Sequence, residues 1–260
     1  IVLLQACQNS PQENSLQQQD QEHPNITKLK NQNAEFIPEI IKLNEKVYVA
    51  VGYDGSNASM VVGEKGVVII DALRALGAEL QEHSPVEPIL KQRNIRQFGR
   101  DLPANEIINR GVAPGTTPTD RAGKGYLPPN LTFQDSITLN LAGIDIELHA
   151  ADGETNDELF VWIPDSKTLF TGDNYYKSFP NLYAIRGSQY RDVKSWGESI
   201  QKMSTYPVEF LVPGHTRPVS GKKLVHDNLT NYATAILSVY QQTIDAMNKG
   251  YTLQQTVDTV

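Results

Sequence analysis

The chain has 260 residues, 39% of them hydrophobic and 20% charged, enough apolar material for one α/β domain with a sizeable core and part of a second. Its formal charge of −7, with no Lys/Arg cluster to break the acidic balance, excludes a nucleic-acid-binding surface. A single cysteine excludes a disulfide framework and a four-cysteine zinc site.

That cysteine, Cys7, closes an apolar opening run, "IVLLQAC". A small residue before a cysteine at the end of a hydrophobic stretch is the pattern of a bacterial lipoprotein signal, in which the cysteine is lipidated. Residues 8–34 are rich in Gln, Asn and Ser and are expected to form a disordered tether, because they cannot bury enough apolar surface to fold. No later run is apolar and long enough to span a bilayer. Membrane association is therefore expected only through an N-terminal lipid anchor, with the protein in the bacterial cell envelope facing the periplasm.

The folded chain is expected to begin near Phe36. The Val/Ile-rich stretches "KVYVAVG", "ASMVVG" and "GVVIID" read as strands joined by the tight turns "YDGSN" and "EKG". Asp71 ends the third strand, and helical patterns follow at 72–80 and 86–96. The Gly/Pro/Thr-rich segment 109–130 is long enough to be a functional loop. A second β-rich block, "LTFQDSITLNL", "IDIELHA", "DELFVWIP" and "KTLF", alternates like neighbouring antiparallel strands. Val193 to Tyr206 reads as a helix and "VEFLVPGH" as a strand running into a loop. From Lys222 to Asn248 the apolar residues Leu229, Ala233, Ile236, Leu237, Tyr240, Ile244 and Met247 recur every three or four positions, a long amphipathic helix with Gly250 at its C-terminal stop. "TLQQTVDTV" starts another helix.

Three polar sites sit where strands give way to loops: "AADGETNDE", with Asp152, Glu154 and Glu158; "TGDN", with Asp173; and "VPGHTRP", with His215. Each alone is ordinary turn chemistry or a surface histidine. Together, carboxylates and imidazole gathered at strand ends suit a divalent metal such as zinc or manganese.

"GVVIID", "LFTGD" and "LVPGH" resemble three recurring strand-end motifs of the metallo-β-lactamase fold. "GETNDE" and "NLYAIRGSQYRD" resemble, more narrowly, the alkylsulfatase branch of that fold. The resemblance covers roughly residues 40–260. It implies an αββα sandwich over 36–218, after a tether over 1–35, and the start of a helical dimerisation domain over 219–260. It also implies hydrolysis of small alkyl sulfate esters at a two-zinc site, and a homodimer. Glu154 would ligate one metal, His215 the other, and Asp173 would bridge both as the catalytic carboxylate. Arg186 would bind the sulfate with Asn181, Tyr183 and Arg191 as neighbours, and Asp71 would orient the ligands. On its residue types alone, Arg191 could equally pair with Asp192. A metallo-hydrolase of another ester or lactone, or a non-catalytic binding lipoprotein on the same scaffold, stands as the alternative.

The fold family's motif His-x-His-x-Asp-His is absent, and the histidines His23, His83, His149, His215 and His226 are scattered. The sandwich is therefore expected to be incomplete, shortened internally near 80–86, in a chain that is a fragment. Three ligating side chains cannot complete two near-tetrahedral zinc shells, so at most one zinc is expected here. His149 reads as a strand residue.

Overall fold

The computed structural model describes residues 22–71, 101–103, 105–115, 129–183 and 191–260, with isolated positions between 89 and 99. Alternation of Val with smaller or polar residues makes Val47–Val51 a strand buried on one face. This strand, β2, pairs antiparallel with β1 (Glu39–Lys42) and β3 (Ala58–Gly63), and β3 pairs with β4 (Gly66–Ile70), giving a four-stranded sheet in the order β1-β2-β3-β4. The second sheet has the order β10-β9-β8-β7-β6-β5, from β5 (Ser136–Leu141), β6 (Ile144–Ala150), β7 (Leu159–Ile163), β8 (Thr168–Phe170), β9 (Phe210–Val212) and β10 (Val219–Ser220). All its pairings are antiparallel except β8 with β9. That parallel pair needs a crossover, and α2 (Val193–Ser204) lies within it.

The sheets face each other through Val47, Val49, Val51 and Val61 on one side and Ile144, Ile146, Val161, Ile163, Phe170 and Val212 on the other. The second sheet's opposite face packs Phe160, Trp162, Leu169 and Leu211 against Trp196, Ile200 and Met203 of α2 and Leu229, Ala233 and Ile236 of α3 (Lys222–Asn248). Burial on both faces explains why β7 and β8 read as continuous apolar runs. Helices α2 and α3 meet closely at Gly197, where a Cβ would lie 2.5 Å from Leu237 Cγ. Helix α3 buries Val225, Leu229, Ala233 and Ile236, and Ala246 near its C-terminal end. Met247 is 64% exposed, and Leu253 and Val257 of the short last helix, α4 (Leu253–Thr259), are also exposed. The expected fold class, an α/β assembly of two stacked sheets with flanking helices, is the one observed.

The tether is corrected at its C-terminal end. Residues Pro24–Gln32 form a helix, α1, with Pro24 at its first turn and His23 as cap, followed by a 3₁₀ turn over Asn33–Phe36. Composition misleads because α1 buries no residue; polar contacts hold it instead. Gln32 Nε2 donates to the Gly111 carbonyl (2.7 Å) and to Ser178 Oγ (2.9 Å), and Asn109 Nδ2 donates to the Leu29 carbonyl (2.9 Å). Lys177 pairs with Glu35, and Arg217 Nε donates to the Ala34 carbonyl. The strand expected from residue 131 begins at Ser136. Cys7, the helices expected at 72–80 and over most of 86–96, the shortening near 80–86 and loop positions 116–128 lie outside the described residues. Among the described residues, no helix is long and apolar enough to cross a membrane.

Candidate active site

The loops after the parallel strands β8 and β9 are stapled through their main chains. Gly214 N–H donates to the Gly172 carbonyl (2.8 Å), and Thr171 N–H donates to the Val212 carbonyl (3.1 Å). Gly172 takes a left-handed turn (φ +53°), which turns Asp173 toward His215. Gly214 is obligatory: a Cβ there would lie 2.7 Å from Asp173 Oδ1 and 2.8 Å from the Gly172 carbonyl. The result is an ion pair, His215 Nε2 to Asp173 Oδ1 at 3.0 Å, with the Asp173 side chain 40% exposed.

His215 is oriented from the first sheet. Its Nδ1–H donates to the Gly55 carbonyl at 2.7 Å, which leaves Nε2 facing Asp173. Asn57, buried, clamps the same loop: its Nδ2 donates to the Pro213 (2.9 Å) and Thr216 (2.7 Å) carbonyls, and its N–H to the Gly214 carbonyl (2.7 Å). That clamp sustains Thr216 at φ +69°, where a β-branched residue carries about 1–3 kcal/mol of strain. Burial pulls the His215 pKa down, but the Asp173 carboxylate, the Gly55 carbonyl and Glu154 outweigh it, so the imidazole titrates above its ordinary value.

A second cluster forms on the loop between β6 and β7. Asn174 is fully buried and donates from Nδ2 to the Ala151 carbonyl (2.8 Å), and a Cβ at Gly153 would collide with its side-chain oxygen at 1.4 Å. That contact fixes the turn bearing Glu154. The Glu154 carboxylate is ion-paired with Arg191, whose side chain is 4% exposed. The same guanidinium donates from Nη1 to the Asn181 carbonyl and stands 5.8 Å over the Trp196 ring. Asp192, the partner weighed for Arg191 in the sequence, caps α2 instead, accepting from Ser195 N–H at 3.0 Å.

Around these pairs the charge is crowded. Burial pushes the Glu158 carboxyl well above the carboxylate range, with Asp173, Glu154 and Asp157 adding to it against the pull of Arg191. Its Oε2 is buried without a hydrogen-bond partner. Asp71 directly follows β4, at φ +59°. Much of its surface meets solvent, yet desolvation and the Asp173 charge push its carboxyl up to about 6, against the pull of His215.

The structure thus brings Asp71, Glu154, Asp173 and His215 into one electrostatic neighbourhood. Tyr183 is 60% exposed nearby in sequence, with its N–H on Asn181 Oδ1 (3.3 Å). Arg186 lies outside the described residues. His149 is a strand residue, stacked on Phe160 and bonded to Glu147. Asn57, Asn174 and Gly214 escaped the sequence reading. The buried Asn that directly follows each short polar turn was the available signal, but its clamping role depends on partners from distant strands.

The resemblance read from the sequence motifs implies a zinc site. Among the described residues no three His, Cys, Asp or Glu side chains converge to hold one. What they offer is the carboxylate–imidazole pair Asp173–His215, donors of the kind zinc takes, with the imidazole held by a carbonyl as zinc ligands commonly are. That donor chemistry fits one ion. It does not fit two, because Glu154 is engaged by Arg191.

No protein-family profile matches the chain. It is 27% identical over 243 residues to a linear primary-alkylsulfatase of Pseudomonas sp. (strain ATCC 19151), spanning 88% of this chain and 46% of that protein. It is 22% identical over 280 residues to an (R)-specific secondary-alkylsulfatase of Pseudomonas sp., spanning 83% and 42%. In fold it is similar to the stereoselective inverting sec-alkylsulfatase Pisa1 from Pseudomonas sp., with a TM-score of 0.76, 20% identity, and coverage of 88% of this chain and 46% of that one. The chain spans less than half the length of each of these proteins.

Proposed function

We propose, for a chain that is a relative of the alkylsulfatases on a metallo-β-lactamase-like fold, that it carries part of a metal-dependent site for hydrolysis of alkyl sulfate esters. The observation that supports this most is the sequence relationship to a primary alkylsulfatase across 88% of the chain, a span that takes in the loops bearing Glu154, Asp173 and His215.

In this reading Asp173 and His215 hold a single divalent cation, zinc by donor type, and Asp71 orients the pair. When bound, such a cation supplies Lewis acidity toward water and toward the ester oxygens. The chain's own part is positional. The Gly55 carbonyl keeps the imidazole in one orientation, and the Gly172–Gly214 staple keeps the carboxylate against it. Arg186, with Asn181 and Tyr183 preceding it in the sequence, receives the sulfate through a guanidinium fork suited to a tetrahedral oxyanion. The same reading includes a lipid anchor at Cys7, placement in the cell envelope, and dimerisation through α3 and α4.

The test is sulfate release from dodecyl sulfate, followed by ion chromatography, on the 260-residue chain dialysed and then supplied with zinc. Zinc-dependent release that Asp173→Ala and His215→Ala both abolish is the expected result. A chain that binds zinc at these residues and releases no sulfate from primary or secondary alkyl sulfates would falsify the substrate assignment.

A further inference from the structure

Glu154 stands where the resemblance expects a metal ligand, yet its carboxylate faces a cation the protein already carries. The Arg191–Glu154 pair is enclosed, with side chains 4% and 12% exposed. Arg191 is fixed from three directions: Glu154 on Nη2, the Asn181 carbonyl on Nη1, and the Trp196 ring below. Trp196 is itself fully buried and pinned through its Nε1–H to the Asn174 carbonyl at 2.9 Å. Asn174 is the residue that fixes the Glu154 turn. The guanidinium and its carboxylate are thus held by one connected set of contacts.

A guanidinium cannot lose its proton to make way for a metal, and its planar fork matches a carboxylate edge. A divalent ion reaching Glu154 would have to separate the pair and leave the guanidinium enclosed without its counter-charge, with its Nε already lacking a partner. We infer that Arg191 is a positioning residue that occupies Glu154 in place of a metal ion, so that Glu154 is not a ligand in this chain and removal of the Arg191 charge opens it to divalent cations. This rests on the reading of Asp173 and His215 as cation donors.

Zinc affinity, measured by competition with a chromogenic chelator on the folded 260-residue chain, tests it without reference to activity. Arg191→Met is expected to raise zinc affinity by about tenfold, the scale on which residues around a metal site act. Arg191→Lys keeps the charge and is expected to stay at the wild-type value. A purely structural role for Arg191 predicts lower melting temperature in both variants and no gain in zinc. Should Arg191→Met fail to fold, Glu154→Gln decides, since Gln keeps an oxygen acceptor for the guanidinium: zinc affinity should stay within about twofold of wild type. A tenfold loss in Glu154→Gln, or no gain in folded Arg191→Met, overturns the inference. Asp173→Asn separates the two readings. If it abolishes zinc binding while Arg191→Met gains none, the donor reading stands and this inference fails. If wild type and Arg191→Met both bind no zinc, both fail.

Discussion

Two carboxylates of the site, Asp173 and Glu154, lie in the loops that follow β8 and β6, strands separated by β7 in one sheet, and meet opposite fates. Asp173 is held by the main chain around it, through the Gly172–Gly214 staple, and its side chain stays 40% open to solvent beside a titratable imidazole. Glu154 is held by side chains, and it faces a permanent cation in an enclosed setting. The same carboxylate chemistry therefore faces a titratable partner in one place and a permanent charge in the other. The difference lies in whether the partner can give up its charge.

Substitutions can break that contrast. The largest effect is expected at Arg191. Arg191→Ala leaves Glu154 and Glu158 enclosed without their cation and should lower unfolding free energy by on the order of 3–5 kcal/mol, read by denaturant melts. Next comes Asn57→Ala, which orphans the Pro213 and Thr216 carbonyls and frees the strained Thr216. A loss of about 2 kcal/mol is expected, together with a fall in the His215 pKa toward its ordinary value as the Gly55 contact loosens, followed by NMR titration.

A pH series sharpens the contrast further. Glu158 and His215 both titrate above their ordinary values in the folded state. Such groups contribute stability that is full below the unfolded-state pKa and is lost as pH rises through the folded one. Melting temperature should thus climb as pH falls from 8 toward 5, and Glu158→Gln should flatten that slope while raising stability at pH 8. The smallest effect is expected at Asp173→Asn. Its pair is solvent-screened, so stability should change by under about 1 kcal/mol even as zinc binding disappears. A loss as large as that of Arg191→Ala would erase the distinction between the two carboxylates.

Much of this was legible from local pattern. The period of two in Val47–Val51 and the spacing of Leu229, Ala233 and Ile236 reflect burial of one face, a property each segment carries by itself. Asp173 and His215 were legible as strand-end residues for the same reason. Helix α1 was not, since its anchors at Gly111, Ser178 and Asn109 are remote in sequence and polar, and its own residues bury nothing. Nor was the partner of Arg191. Sequence proximity favoured Asp192, whereas the fold assigns Asp192 to a helix cap and brings Glu154 across from another loop. Partner choice among charges is set by which loops the sheet order makes adjacent, and no local periodicity encodes that.

The staple between Gly172 and Gly214 has a consequence for how this scaffold can change. Because two backbone groups set the path of the turn, position 173 behaves as a socket whose shape does not depend on what is plugged into it. A longer or amide side chain can be installed there while the histidine opposite keeps its place, provided both glycines stay. Variation in the chemistry at this edge can therefore accumulate one residue at a time, without the fold being renegotiated at each step.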